Sequence, residues 1–160
     1  MTIALMRVDN RLLHGQVAIS WSNHLGINTI LIANDEVKND KTKAMIYDLA
    51  KPANTRLYVR GLEESCDIVE KFKDSQKSHV LVIVSNIKDA YYLANESKGS
   101  IQHINVGGLN KVDNKEKLSE NVYLDQYEIE MIKELKSKNI KVEFRMLPHD
   151  NEKSLEDFSK

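Results

Sequence analysis

The chain has 160 residues, with 23 Lys and Arg against 24 Asp and Glu, a net charge of −1, 41% hydrophobic residues and a single Cys. That length matches one ordinary domain with its own core, and the charge balance gives no overall pull toward nucleic acid or an anionic membrane. Regular apolar runs exclude wholesale disorder, none nears the ~20 residues of a bilayer span, and a lone Cys forms no internal disulfide. The N-terminus enters strand-like sequence without a basic leader, so one cytoplasmic domain over 1–160 is expected.

In chain order, short apolar runs alternate with amphipathic stretches. Ile3–Val8 and Thr29–Ala33 read as strands. Between them Val17, Trp21 and Leu25 share a helical face that Gly26 is placed to end. Leu57–Val59 is a third strand, and Leu62, Cys66, Val69 and Phe72 then form one stripe at helical period. Val80–Val84 is apolar throughout, which suits a strand covered on both faces, and Ile87, Ala90, Tyr91 and Ala94 return to helical spacing. Further strands are expected at Ile101–Val106 and Asn121–Leu124, with Asn110–Glu120 as the longest loop. Asp125 with Glu128 resembles a capping box, opening a helix with Ile129, Ile132 and Leu135. In the last run Ile140, Val142, Phe144 and Met146 alternate with Lys141, Glu143 and Arg145, so one face should meet water, as on an edge strand. The charged tail, 149–160, is expected to be mobile. This order predicts an α/β fold: an open, mostly parallel sheet of about seven strands, helices on both faces, and an antiparallel edge strand.

Open α/β sheets gather function in the loops leaving the carboxyl ends of their strands. The first such loop, Arg7-Val8-Asp9-Asn10-Arg11-Leu12-Leu13-His14-Gly15-Gln16, concentrates two Arg, one Asp and one His. Gly15 allows a tight turn, and the start of the following helix, with Gly15 and Gln16 beside the Arg residues, forms an anion site suited to a phosphoryl group. A neutral imidazole there attacks phosphorus and passes the group onward. Arg11 and Arg7 supply the positive charge that phosphoryl transfer needs, while Asp9 orients the imidazole or an Arg. The same residues also fit a plain surface ion pair with a solvated His.

This segment resembles a known signature. R-V-D-N-R-L-L-H-G-Q-V is similar to the active-site signature of IIB components of the bacterial phosphoenolpyruvate-dependent sugar phosphotransferase system (PTS), mannose/fructose/sorbose family. Ile32–Val37 with Asn39 and Asp40, Asn105–Gly108, and Val142–Pro148 with Asp150 resemble further segments of that family, so the resemblance covers nearly the whole chain. It implies the same open parallel sheet. It also implies a transferase in which His14 takes phosphate from a phospho-His IIA partner and gives it to a sugar entering through membrane IIC and IID subunits. Arg11 and Arg7 match the family's two Arg positions, and Asp9 its acidic one. Asn10 and Asn34 stand where Asp is common, and neither departure removes the nucleophile. Asn10 with Trp21 resembles the branch handling N-acetylgalactosamine or galactosamine. No cofactor beyond covalent phosphate on His14, no metal and no nucleic-acid partner is implied. The chain would associate peripherally with the membrane transporter, and its oligomeric state stays open.

Plainer roles fall to the other residues. His24 reads as a packing or helix-end residue, and His79, His103 and His149 as structural or solvated. Among the five His and Cys66 no pair has metal-ligand spacing. Cys66 lies on an apolar stripe and reads as packing. Gly107 and Gly108 either cradle a phosphate or make a turn, in a loop expected to border His14. Ser85 either lends a hydroxyl to the site or caps the helix ahead of Asn86 and Ile87. Lys111, Lys115 and Lys117 form a mixed-charge loop that is solvated or docks an acidic partner. Two other functions suit this fold, a regulatory phosphoprotein and an anion- or nucleotide-binding module. The latter has no need of a nucleophile beside two Arg.

Overall fold

The structure is a computed structural model and describes residues 3–158. The strands are β1 (Ile3–Asp9), β2 (Thr29–Ala33), β3 (Arg56–Arg60), β4 (Val80–Val84), β5 (His103–Gly108), β6 (Glu116–Ser119), β7 (Val122–Leu124) and β8 (Lys141–Phe144). Six of them form one sheet of order β3-β2-β4-β1-β5-β8, and every pairing within it is parallel. The expected antiparallel edge strand is therefore corrected. β8 does lie at an edge, but a helix carries the chain back across the sheet before it, so it runs parallel to β5. Antiparallel pairing belongs to the separate β6–β7 hairpin, which occupies part of the stretch expected to be loop, and to a single bridge between Phe144 and Lys153.

The helices are α1 (Gly15–Leu25), α2 (Asp35–Lys38), α3 (Lys41–Ala50), α4 (Leu62–Lys73), α5 (Ile87–Glu96) and α6 (Gln126–Ser137). Gly26 ends α1 in the left-handed conformation, and Asp125 with Glu128 forms the capping box of α6. Alternation along the strands splits the core into two layers. Leu5, Ile30, Ile32, Leu81 and Ile83 pack under Ala18 and Trp21 of α1. Met6, Val8, Leu31, Val82, Ile104 and Val106 pack on the opposite face under Val69, Ala90, Leu93, Ile132 and Leu135 of α4, α5 and α6. Thus β4 is buried on both sides, as its sequence requires.

The tail expected to be mobile is docked in its described part. Lys153 bridges to Phe144, Leu155 is buried in a 3-10 turn, and Phe158 meets Phe144 edge-on at 5.5 Å. Its last two residues lie outside the described ones. The alternation of β8 also holds only in part. Val142 and Phe144 face the core, yet Glu143 is buried too, at 2% exposure.

The chain leaves β1 toward one face of the sheet, whereas the helices after the neighbouring strands β4 and β5 cover the other. The carboxyl end of β1 is thus the topological switch point, where such sheets open a crevice.

Candidate active site

Side chains two apart on a strand share a face, so Arg7 and Asp9 both point toward the α1 layer. The register places Asn105 of β5 opposite Arg7, and Glu143 of β8 opposite Asn105. A polar row therefore crosses three strands beneath Trp21. Arg7, Asp9, Asn105 and Glu143 are all buried.

The loop after β1 turns back on Asp9. Leu12 donates its amide to the Asp9 carbonyl at 2.9 Å and Asn10 donates to the Gly108 carbonyl at 2.9 Å. Leu12 sits at φ +58, a strained conformation for a branched residue, held by burial of its side chain with Leu13 in the apolar layer. Gly15, at φ +46, then turns the chain into α1. His14 is the N-cap of that helix, and its side chain does not cap it. The ring instead places Nε2 2.8 Å from Asp9 Oδ2.

Asp9 accepts from three sides: His14 on Oδ2, Arg7 Nη2 on the same oxygen at 3.0 Å, and the Arg11 amide on Oδ1 at 3.0 Å. Arg7 also donates from Nη1 to Asn105 Oδ1 at 2.5 Å and meets Met146 Sδ at 3.5 Å. Its guanidinium lies 5.7 Å from the centre of the Trp21 ring, with Arg145 at 5.0 Å from the same ring. Trp21 is held in turn by a 3.0 Å bond from Nε1 to the Met146 carbonyl. Burial pulls the Arg7 guanidinium below its ordinary value, and the Asp9 carboxylate works against that. Arg7 is thus enclosed, so its charge reaches His14 through Asp9. Arg11 is exposed, with its carbonyl accepting from the Tyr47 hydroxyl at 3.3 Å. It borders a cavity of about 120 Å³ also lined by Asn10, Gly108, Lys111, Asn121 and Tyr123.

The glycine loop does border the site. A Cβ on Gly107 would overlap the Arg7 guanidinium, and one on Gly108 would stand 3.4 Å from Asp9 Oδ1. Gly107 thus makes room for Arg7, whereas a methyl group on Gly108 would meet Asp9 at ordinary contact distance. Gly15 and Gln16 are exposed at the start of α1, where first-turn amides lack intrahelical partners. Ser85 is engaged elsewhere: its Oγ accepts from Asn34 and Asn86, and Asn86, not Ser85, caps α5. Trp21, which with Asn10 carries the amino-sugar likeness, is buried against Arg7 and Arg145.

Among the remaining candidates, His24 stacks edge-on with Trp21 in the last turn of α1, and His79 and His149 are exposed. Cys66 packs in the core, where burial pushes its thiol up. Lys115 pairs with Glu128 at 2.9 Å and Lys117 with Glu120 at 3.1 Å, while Lys111 is exposed. Sequence spacing did not anticipate that His103, Glu143 and Glu152 gather donor atoms within 4.8 Å of one another. Protein cations already serve these carboxylates, Arg145 on Glu143 and Lys141 on Glu152.

Sequence reasoning missed Asn105 and Glu143 as parts of this group. Asn105 shares its run with Gln102 and His103, so nothing local in the sequence singles it out. Glu143 was assigned to solvent because nothing in the alternation shows which edge face is roofed.

Chemically, the arrangement offers a partly exposed imidazole whose Nε2 faces a buried carboxylate. Its Nδ1 is left for a ligand beside the N-terminus of α1 and the exposed Arg11 side chain.

The chain matches the family described as PTS system sorbose subfamily IIB component over residues 3–160. It is 33% identical over 139 residues to a probable phosphotransferase enzyme IIB component of Streptococcus pyogenes serotype M6, covering 84% of this chain and 85% of that one. The crystal structure of the IIB domain of the sorbose permease from Klebsiella pneumoniae superposes with a TM-score of 0.89 at 28% identity, covering 99% of this chain and 96% of that one. A mannose-specific EIIAB component of Escherichia coli is 28% identical over 94% of this chain, which spans 46% of that longer protein.

Proposed function

The chain belongs to the sorbose subfamily of PTS IIB components, and from that membership we propose that His14 is its phosphoryl carrier, taking the group from a phospho-His IIA protein and passing it to an incoming sugar. The observation that carries this reading is the 2.8 Å contact of His14 Nε2 with Asp9 Oδ2. A carboxylate only accepts, so Nε2 holds the ring proton and Nδ1 presents the lone pair.

Nδ1 attacks the phosphorus of the donor. The new N–P bond forms as the donor's N–P bond breaks, and the donor imidazole, keeping the proton on its second nitrogen, leaves neutral. Positive charge developing on the His14 ring is met by Asp9, whose own charge is balanced by Arg7. Arg11 and the first-turn amides of α1 neutralise the phosphoryl oxygens, with Gly15 leaving open space there. In the second step a sugar hydroxyl attacks the same phosphorus as the His14 N–P bond breaks, its electron pair returns to Nδ1, and the hydroxyl proton is released to solvent.

The recipient sugar is held by membrane IIC and IID subunits, which this chain visits; none of its described helices is long and apolar enough to cross a membrane. The joined A and B parts in the name of the mannose-specific relative support a IIA partner. The test is sugar uptake: deletion of the gene abolishes uptake of the cognate sugar, wild type restores it, and His14→Gln does not. Uptake restored by His14→Gln contradicts the reading.

A further inference from the structure

Arg7, Asn105 and Glu143 are register partners on three adjacent parallel strands, each 2% exposed or less. The transfer described above uses Arg7 through Asp9 and leaves Asn105 and Glu143 without a role. Their bonding is directional. A guanidinium only donates, a carboxylate only accepts, and an amide does both. Glu143 Oε1 accepts from Asn105 Nδ2 at 2.7 Å, and the Arg145 carbonyl accepts from the same nitrogen at 3.0 Å. The Asn105 amide oxygen is therefore turned to Arg7 Nη1, 2.5 Å away. A reversed amide would set donor against donor at Arg7 and acceptor against acceptor at Glu143.

Glu143 is itself pinned. Its Oε2 accepts from Arg145 Nε at 2.9 Å and from His103 Nε2 at 3.1 Å. Burial pushes its carboxyl up, but the bonds from His103 and Asn105 and the charge of Arg145 together hold it below its ordinary value.

We propose that Asn105 and Glu143 are positioning residues: the ordered row Glu143–Asn105–Arg7–Asp9 fixes His14 in its Nε2–H tautomer and so selects Nδ1 as the attacking nitrogen. This rests on the reading of His14 as phosphoryl acceptor. Gln at position 143 breaks the order whichever way its amide turns. Its NH2 group faces either the Arg145 and His103 donors or Asn105, which must then turn its own NH2 toward Arg7.

The experiment is nitrogen-15 NMR of the His14 ring in unphosphorylated wild type and Glu143→Gln, with the rate of phosphoryl acceptance from phospho-IIA. Wild type shows the Nε2–H tautomer. Folded Glu143→Gln shows a tautomer mixture and a rate lower by about tenfold or more, the scale of losing the outer partner of a metal-bound His. Its KM for phospho-IIA stays unchanged, because Glu143 is buried and presents nothing to a partner. A folded variant with wild-type tautomer and rate overturns the proposal. Where Glu143→Gln does not fold, Asn105→Ser gives the same two readings. A wild-type ring with its proton on Nδ1 overturns the proposal without any variant. Wild type with the Nε2–H tautomer that accepts no phosphate supports the ordering row and contradicts the functional reading.

Discussion

His14 and Asp9 meet across a 2.8 Å contact in which one partner is 21% exposed and the other fully buried. The buried side makes the contact directional, since Asp9 cannot swing to water and is held from behind by Arg7 at 3.0 Å.

Removing that charge leaves Arg7 buried and unpaired. Asp9→Asn is expected to lower stability by about 3–5 kcal/mol, the usual cost of breaking a buried ion pair from one side. Urea unfolding measures it, and a loss under 1 kcal/mol contradicts the pairing.

Gly107→Ala tests the close approach of Arg7. The φ of Gly107 lies outside the left-handed region, so the substitution costs nothing in backbone strain, yet its methyl group overlaps the guanidinium. The expected loss is about 1–3 kcal/mol, with slower phosphoryl acceptance as Arg7 is displaced from Asp9. An alanine variant as stable and active as wild type refutes the contact.

Arg11→Ala separates charge at the phosphoryl group from support of the fold. The side chain is exposed, so stability should stay within about 0.5 kcal/mol of wild type, while acceptance slows by about tenfold or more. Thermal unfolding and transfer kinetics on the same sample decide it. Unfolding of this variant would mean that the loop depends on Arg11 for structure.

The depressed carboxyl of Glu143 makes stability depend on acid. In the unfolded chain it titrates near about 4.3, and in the folded protein lower. Its contribution is present above the unfolded value and is lost as pH falls through the folded one. Unfolding from about pH 6 to about pH 3 should therefore show wild type losing its advantage over Glu143→Gln as acid is added. A gap that stays constant with pH contradicts the assignment.

Much of the fold was legible because its signals are local. The uninterrupted apolar run of β4, the capping pair Asp125 and Glu128, and Gly26 after α1 each act within a few residues. α3 was not read, since it fully buries no residue: Ala44 and Tyr47 pack only partly against the core, and Met45, Ile46 and Leu49 stay exposed. The direction of β8 was misjudged because alternation marks an edge without telling parallel from antiparallel. At the site, Arg7, Asp9, Arg11 and His14 announced themselves by proximity in sequence. Asn105 and Glu143 join them only through register, across 98 and 136 positions of chain from Arg7. No window on the sequence spans that.

The central claim is phosphorylation of His14 on Nδ1. The protein is incubated with phosphoenolpyruvate, the general phosphocarriers and a cognate IIA, and the labelled nitrogen is identified by NMR. One acid-labile phosphate on His14 Nδ1, absent from His14→Gln, is the predicted result. Label retained by His14→Gln, or wild type that never takes label, would contradict it.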